Sequence, residues 1–81
     1  MSIKWTHSAV NDLTDIVIKL ESKSQPYYAQ KIEKRILSKI KLLIDDTTKG
    51  FHSFCIDLCK VDYRITDKEL RVLKISLIRP I

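Results

Sequence analysis

The hydrophobic residues of this chain switch from a period of two to the helical period and back, and the order of those switches limits the folds open to it. Ile3 and Trp5 alternate with Ser2, Lys4 and Thr6, as in a half-buried strand. Ala9, Val10, Leu13, Ile16, Val17 and Leu20 then recur at three and four, and so do Ala29, Ile32, Ile36, Leu37, Ile40, Leu43 and Ile44. That spacing gathers side chains on one face of a helix. From Gly50 onward the pattern reads as extended. Strand, helix, helix, strands is the order expected of an α+β fold: an N-terminal strand, an antiparallel helical hairpin, then a small curved antiparallel β-sheet that the hairpin covers on one face.

Local signals place the boundaries. Thr6 or Ser8 can cap the first helix, and Asp12 lies in its early turns, where negative charge suits the dipole. The polar stretch from Glu21 to Gln25 leads to Pro26, which a first helical turn tolerates because its missing N–H would go unused. Asp45, Asp46, Thr47, Thr48, Lys49 and the single glycine, Gly50, stop the second helix. Phe54, Ile56 and Leu58 share one parity and Val61, Tyr63 and Ile65 the other, so a turn or bulge near Cys59 must flip the buried face. Asp67, Lys68 and Glu69 form a second turn before an apolar run from Leu70 to Ile78 that reads as a central strand. No repeat or linker divides the 81 residues, which form one expected domain spanning residues 1–81.

Composition bounds the function. Fifteen Lys and Arg against ten Asp and Glu give a net charge of +5 and a pI near 9.4, which suits an acidic partner. Between Pro26 and Ile44, Lys31, Lys34, Arg35, Lys39 and Lys41 face Glu33 alone. A solvated helix face is the ordinary explanation of such an excess. No apolar run approaches the roughly 20 residues that span a bilayer, and no signal-type apolar segment follows the start, so a cytoplasmic protein is expected. Cys55 and Cys59, four apart in a stretch that reads as extended, would stand about 13 Å from each other unless the chain turns between them, and are expected to stay reduced. With His52 the only neighbouring ligand type and no paired spacing, neither a metal nor another cofactor is expected. No exposed aromatic platform for nucleic acid stands out either.

Three segments together carry a resemblance. Ile3-Lys4-Trp5-Thr6-His7-Ser8-Ala9-Val10-Asn11-Asp12-Leu13, then Gln25-Pro26-Tyr27-Tyr28-Ala29 with Ile32, Ile36, Ile40 and Leu43, then Val61-Asp62-Tyr63-Arg64-Ile65-Thr66-Asp67-Lys68-Glu69-Leu70-Arg71-Val72-Leu73-Lys74-Ile75 resemble, in that order, toxins of the RelE/ParE superfamily. The resemblance spans nearly the whole chain. It implies a small bacterial toxin of a type II toxin-antitoxin module, neutralised by a cognate acidic antitoxin in a hetero-oligomer. Two activities occur in the superfamily: ParE-like plasmid-stabilisation members inhibit DNA gyrase, and RelE-like members cleave mRNA in the ribosome.

Metal-free RNA cleavage needs a base, a cation and an acid brought together. The candidates are His52, Lys60, Arg64 and Arg79, with Lys60, Arg64, Arg71 and Arg79 as a possible cationic sheet face. In ribonuclease-type relatives a His or Tyr often precedes the final Arg; here Leu77 and Ile78 precede Arg79. Cys59-Lys60 stands where such relatives commonly carry Tyr-Arg. The layout with Pro26-Tyr27-Tyr28-Ala29 is closer to the ParE type, which binds its target and needs no acid or base. Because the family's terminal segment is associated with toxicity, target contact is expected at Arg79, Pro80 and Ile81, with Arg71 of the cationic sheet face; antitoxin contact is expected on the basic, apolar-grooved surface at Lys31, Lys34, Arg35, Phe54 and Ile56. The Gly50 to Tyr63 stretch reads as short for the family, which implies abbreviated middle strands and a weakened or inactive toxin.

Overall fold

The structure, a computed structural model, describes residues 2–23, 26–43 and 48–79. Its elements follow the expected order: β1 (Ser2–Trp5), α1 (His7–Ser22), α2 (Pro26–Leu43), β2 (Gly50–Ile56), β3 (Cys59–Ile65) and β4 (Glu69–Leu77). The strands form one sheet in the order β1-β4-β3-β2. β2, β3 and β4 are antiparallel neighbours, but β1 lies parallel to β4, so the sheet is mixed rather than wholly antiparallel. Alternation reports which face a side chain takes and is silent on strand direction. A chain that crosses over through two helices before returning is free to make a parallel pair. β2 and β3 pair over seven positions each.

The core lies between the sheet and the helices. Ala9, Leu13, Ile16 and Leu20 bury one face of α1, and Ala29, Ile32, Ile36 and Ile40 one face of α2. Both stripes are narrower than the sequence pattern. Val10 is 48% exposed, Val17, Leu37 and Leu43 are half-buried, and Ile44 lies outside the described residues. Opposite them the sheet contributes Cys59, Val61, Tyr63, Ile65, Leu70, Val72 and Ile75. Ile32, Ile36 and Ile40 are fully buried, each worth about 2 kcal/mol of transfer free energy.

Two local devices set the geometry. The parity flip near Cys59 is a two-residue turn, Asp57-Leu58, with Asp57 at φ 55°, a region that Asp tolerates better than most residues. The second is a bulge in β4, where Val72 pairs with Tyr63 and Lys74 with Asp62, leaving Leu73 without a counterpart. There β1 has already ended, and α1 takes over the edge. Thr6 N donates to the Val72 carbonyl at 3.1 Å, and Thr6 Oγ1 donates to the Leu73 carbonyl at 3.0 Å. The same hydroxyl caps α1 by accepting from Ala9 N at 3.1 Å. One turn further on, Asp12 Oδ2 accepts from Ile75 N at 3.0 Å. Asp12 therefore does more than complement the helix dipole: it fills a vacant position of the β4 edge.

A charge-assisted bond to a half-buried backbone donor contributes about 2 kcal/mol. Asp12→Ala should lower unfolding free energy by that amount in urea titrations, and Thr6→Ala by about 1 kcal/mol. A loss under about 0.5 kcal/mol at Asp12 would show that the anchor contributes nothing.

Burial, and then the nearby Asp57 carboxylate, push the acid constants of the Tyr28 hydroxyl and the Cys59 thiol above their ordinary 10.0 and 9.0. The native state holds both protons more tightly than the unfolded chain, so this contribution is complete below about pH 9 and is lost as pH rises through the shifted values. Urea stability should fall above about pH 9, and the combined variant Tyr28→Phe, Cys59→Val should flatten that fall.

Candidate functional site

The sheet leaves one face uncovered, and its register composes that face. Outward-pointing Phe51, Arg64, Arg71 and Lys4 stand side by side on β2, β3, β4 and β1, a row crossing the whole sheet. All four are exposed, Phe51 to 72%. Arg64 stacks on Phe51, its guanidinium carbon 5.2 Å from the ring centroid. Arg71 Nε lies 2.7 Å from Glu69 Oε2. The next row runs Ser53, Asp62, Lys74, and beyond it Cys55, Lys60, Ser76. The bulge turns Leu73 outward as well, so it lines hollows of this face together with Phe51, Arg64 and Arg71 on one side and Asp62 and Lys74 on the other.

The catalytic candidates do not converge. Lys60 and Arg64 are on this face but roughly 13 Å apart along β3. His52 points to the opposite, helix-covered side, where its ring stacks on Tyr63 at 5.5 Å between centroids and its Nε2 donates to the Thr48 carbonyl at 3.0 Å. Arg79 is exposed beyond the end of β4, roughly 25 Å along the chain from Arg71. The expected cationic face therefore gathers Lys60, Arg64 and Arg71 without Arg79. Of the four target-contact residues, Arg71 and Arg79 lie at opposite ends of β4, and Pro80 and Ile81 lie outside the described residues.

A second surface lies where α2 passes the end of β2. Lys31, Lys34, Arg35, Ser38, Lys39, Leu42 and Ile56 line a groove of about 410 Å³ with an apolar floor and cationic walls. The structure thus brings Lys31, Lys34, Arg35 and Ile56 together; Phe54 sits further along β2, against Tyr63 at 5.8 Å. Arg35 reaches the hairpin turn, its Nε 2.8 Å from Asp57 Oδ2. With half of the Arg35 side chain exposed, that pair contributes under about 1 kcal/mol. Lys31 bonds the Tyr27 hydroxyl and lies 4.2 Å from the centre of its ring. A third, more apolar groove runs between α1 and α2, lined by Trp5, Val10, Leu13, Thr14, Val17, Glu33 and Leu37.

Sequence reading missed Lys4, Phe51, Leu73 and Lys74. Phe51 has the parity opposite to Phe54, which marks it as outward, so an aromatic platform is present after all. Leu70 and Val72 differ in parity from Ile75 and Leu77, the signature of the bulge that exposes Leu73. Among the described residues no three His, Cys, Asp or Glu side chains are grouped to hold a metal, and no helix is long and apolar enough to cross a membrane.

No protein-family model matches the chain, and no curated protein matches it. Its structure is similar to a chain of the solved chromosomal ParDE TA system from P. aeruginosa, with a TM-score of 0.78, 23% identity, and coverage of 98% of this chain and 97% of that one. The two share one α+β fold over nearly their whole lengths.

The assignment of faces is open to a chemical check. Cys55 is exposed on the uncovered face and Cys59 is buried under the helices, with its acid constant raised. Iodoacetamide at about pH 8 should alkylate Cys55 alone in the native protein and both thiols in urea. Equal rates at the two cysteines would contradict the arrangement.

Proposed function

We propose that this chain is the toxin of a type II toxin-antitoxin module, ParE-like, which arrests growth by binding DNA gyrase and is neutralised by a cognate acidic antitoxin. The observation that carries this reading is the end-to-end match in fold to a chain of the ParDE TA system. The separation of His52 from Lys60, Arg64 and Arg71 favours binding over RNA cleavage, because proton transfer needs its donor and acceptor within hydrogen-bond reach of the same substrate.

The antitoxin surface in this reading is the α2 groove. Its floor, Leu42 and Ile56, takes apolar side chains, and Lys31, Lys34, Arg35 and Lys39 attract an acidic segment. The apolar groove between α1 and α2 offers a seat for an amphipathic helix of the same partner.

The product of the adjacent small reading frame should co-purify with the chain, and Lys34→Glu with Arg35→Glu should weaken that complex by about tenfold or more. The free toxin should block supercoiling by purified gyrase, and the antitoxin should restore it. No complex with the neighbouring product, or gyrase unaffected by a molar excess of toxin, contradicts the proposal.

A further inference from the structure

The two edges of the sheet are guarded differently. β1 is four residues long and carries Lys4, and beyond Trp5 the edge of β4 is filled by Thr6 and Asp12. β2 closes the other side with seven residues, Gly50-Phe51-His52-Ser53-Phe54-Cys55-Ile56, and among the described residues no strand lies beyond it. It has none of the usual protections of an edge: no Lys, no Pro, no formal charge and no bulge in its pairing with β3. Its inner side is unfinished as well. Cys59, Val61, Tyr63 and Ile65 of β3 are buried, whereas His52, Phe54 and Ile56 of β2 are only half-buried.

The register states what fits this edge. Ile56 and Cys59 close the two-residue turn as a hydrogen-bonded pair, and bonded and non-bonded pairs alternate from there. Phe51, Ser53 and Cys55 are therefore the positions whose N–H and C=O turn away from β3. We infer that β2 pairs antiparallel with β2 of a second copy of this chain, about a two-fold axis at Ser53, joining two sheets into one. This register sets Ser53 against Ser53 and Phe51 against Cys55, and its three bonded pairs exchange about six hydrogen bonds. On the inner side His52 meets Phe54 at the closer, non-bonded spacing, so the packing of both rings on Tyr63 continues into the second copy. Just outside the strand, Lys49 comes opposite Asp57 at both ends, so the first charged residues beyond the contact complement each other. The basic faces do not oppose the join. Across it, Phe51 and the second copy's Cys55 separate Arg64 from the second copy's Lys60 by three strand spacings, about 14 Å, beyond the Debye length of about 8 Å at physiological ionic strength. An acidic antitoxin segment gains no charge contact from an uncharged strand and is drawn instead to the α2 groove, which leaves β2 to the second copy. The pairing goes beyond the gyrase reading and does not depend on it.

The contact is small, seven residues a side, so the dimer is weak, with a Kd of about 10–100 μM. Sedimentation equilibrium of the full chain should show a mass rising from 9.5 kDa toward about twice that value as the concentration goes from about 5 to about 500 μM. Ser53→Lys sets two ammonium groups against each other at the axis and should stay monomeric over that range. Ser53 is exposed, so the urea melt of this variant should match the parent. Residues in a bonded pair stand about 5.5 Å apart at Cα, within disulfide reach, whereas Cys55 and its copy would be about 14 Å apart. With oxidised glutathione, the variant Ser53→Cys, Cys55→Ser should therefore form a linked dimer at least about tenfold faster than the parent does through Cys55. Amide exchange at Phe51, Ser53 and Cys55 should slow as the chain is concentrated on its own. Four results overturn the inference: a 9.5 kDa monomer at about 500 μM; a mass that rises equally in Ser53→Lys or passes beyond the dimer; equal linking rates at positions 53 and 55; or amide exchange that slows only when the product of the adjacent reading frame is added, which assigns the edge to the antitoxin.

Discussion

The attachment of α1 to the bulged edge of β4 is the constraint on which the remaining architecture depends. β4 is longer than β1, so its edge would run on past Trp5 with backbone groups facing no strand. Thr6 and Asp12 occupy those positions with side-chain oxygens, one accepting from Ile75 N and the other donating to the Leu73 carbonyl. Because Thr6 also caps α1, the start of the helix and its seat on the sheet are fixed by a single hydroxyl. α2 follows through the hairpin. The groove it forms with Ile56, and the closed side on which Tyr63 and His52 stack, are consequences of that seat.

The same bulge shapes the other side of the sheet. An unpaired Leu73 lets Val72 and Ile75 both face the core while Leu73 and Lys74 both face out. The outer surface gains an apolar ridge of Phe51 and Leu73 among cations, without loss to the core. Magnitudes explain why the fold tolerates the like-charged row. Repulsion between exposed opposed charges amounts to about 1 kcal/mol or less. Burial of Ile32, Ile36 and Ile40 alone contributes about 6 kcal/mol of transfer free energy, before the costs of ordering the chain.

The element order, the caps and the turn at Asp57-Leu58 were readable because each rests on local pattern: periodicity, a hydroxyl before an apolar stripe, a parity flip. β1 beside β4 in parallel was not, because nothing within Ser2–Trp5 records the direction of a partner from Glu69–Leu77. Asp12 was read as a dipole complement for the same reason, since its partner lies 63 residues away. The α2 cations could be gathered from helical spacing, whereas their juxtaposition with Ile56 depends on how α2 crosses β2. The row from Lys4 to Phe51 needs the register of all four strands at once, and the bulge shifts that register by one residue midway.

Beside the fold match, the functional reading draws on the division of surfaces that this geometry creates: a basic, partly apolar groove beside α2, and an open cationic sheet with the His52 imidazole turned to the other side. The chain shares its fold with a chain of the ParDE TA system, and the proposed partners are argued from that likeness together with these surfaces. The most direct measurement of the central claim is induced expression of the chain in cells, with plasmid supercoiling and translation followed side by side. Supercoiling lost while translation continues is the expected result. Translation lost while supercoiling persists would contradict it.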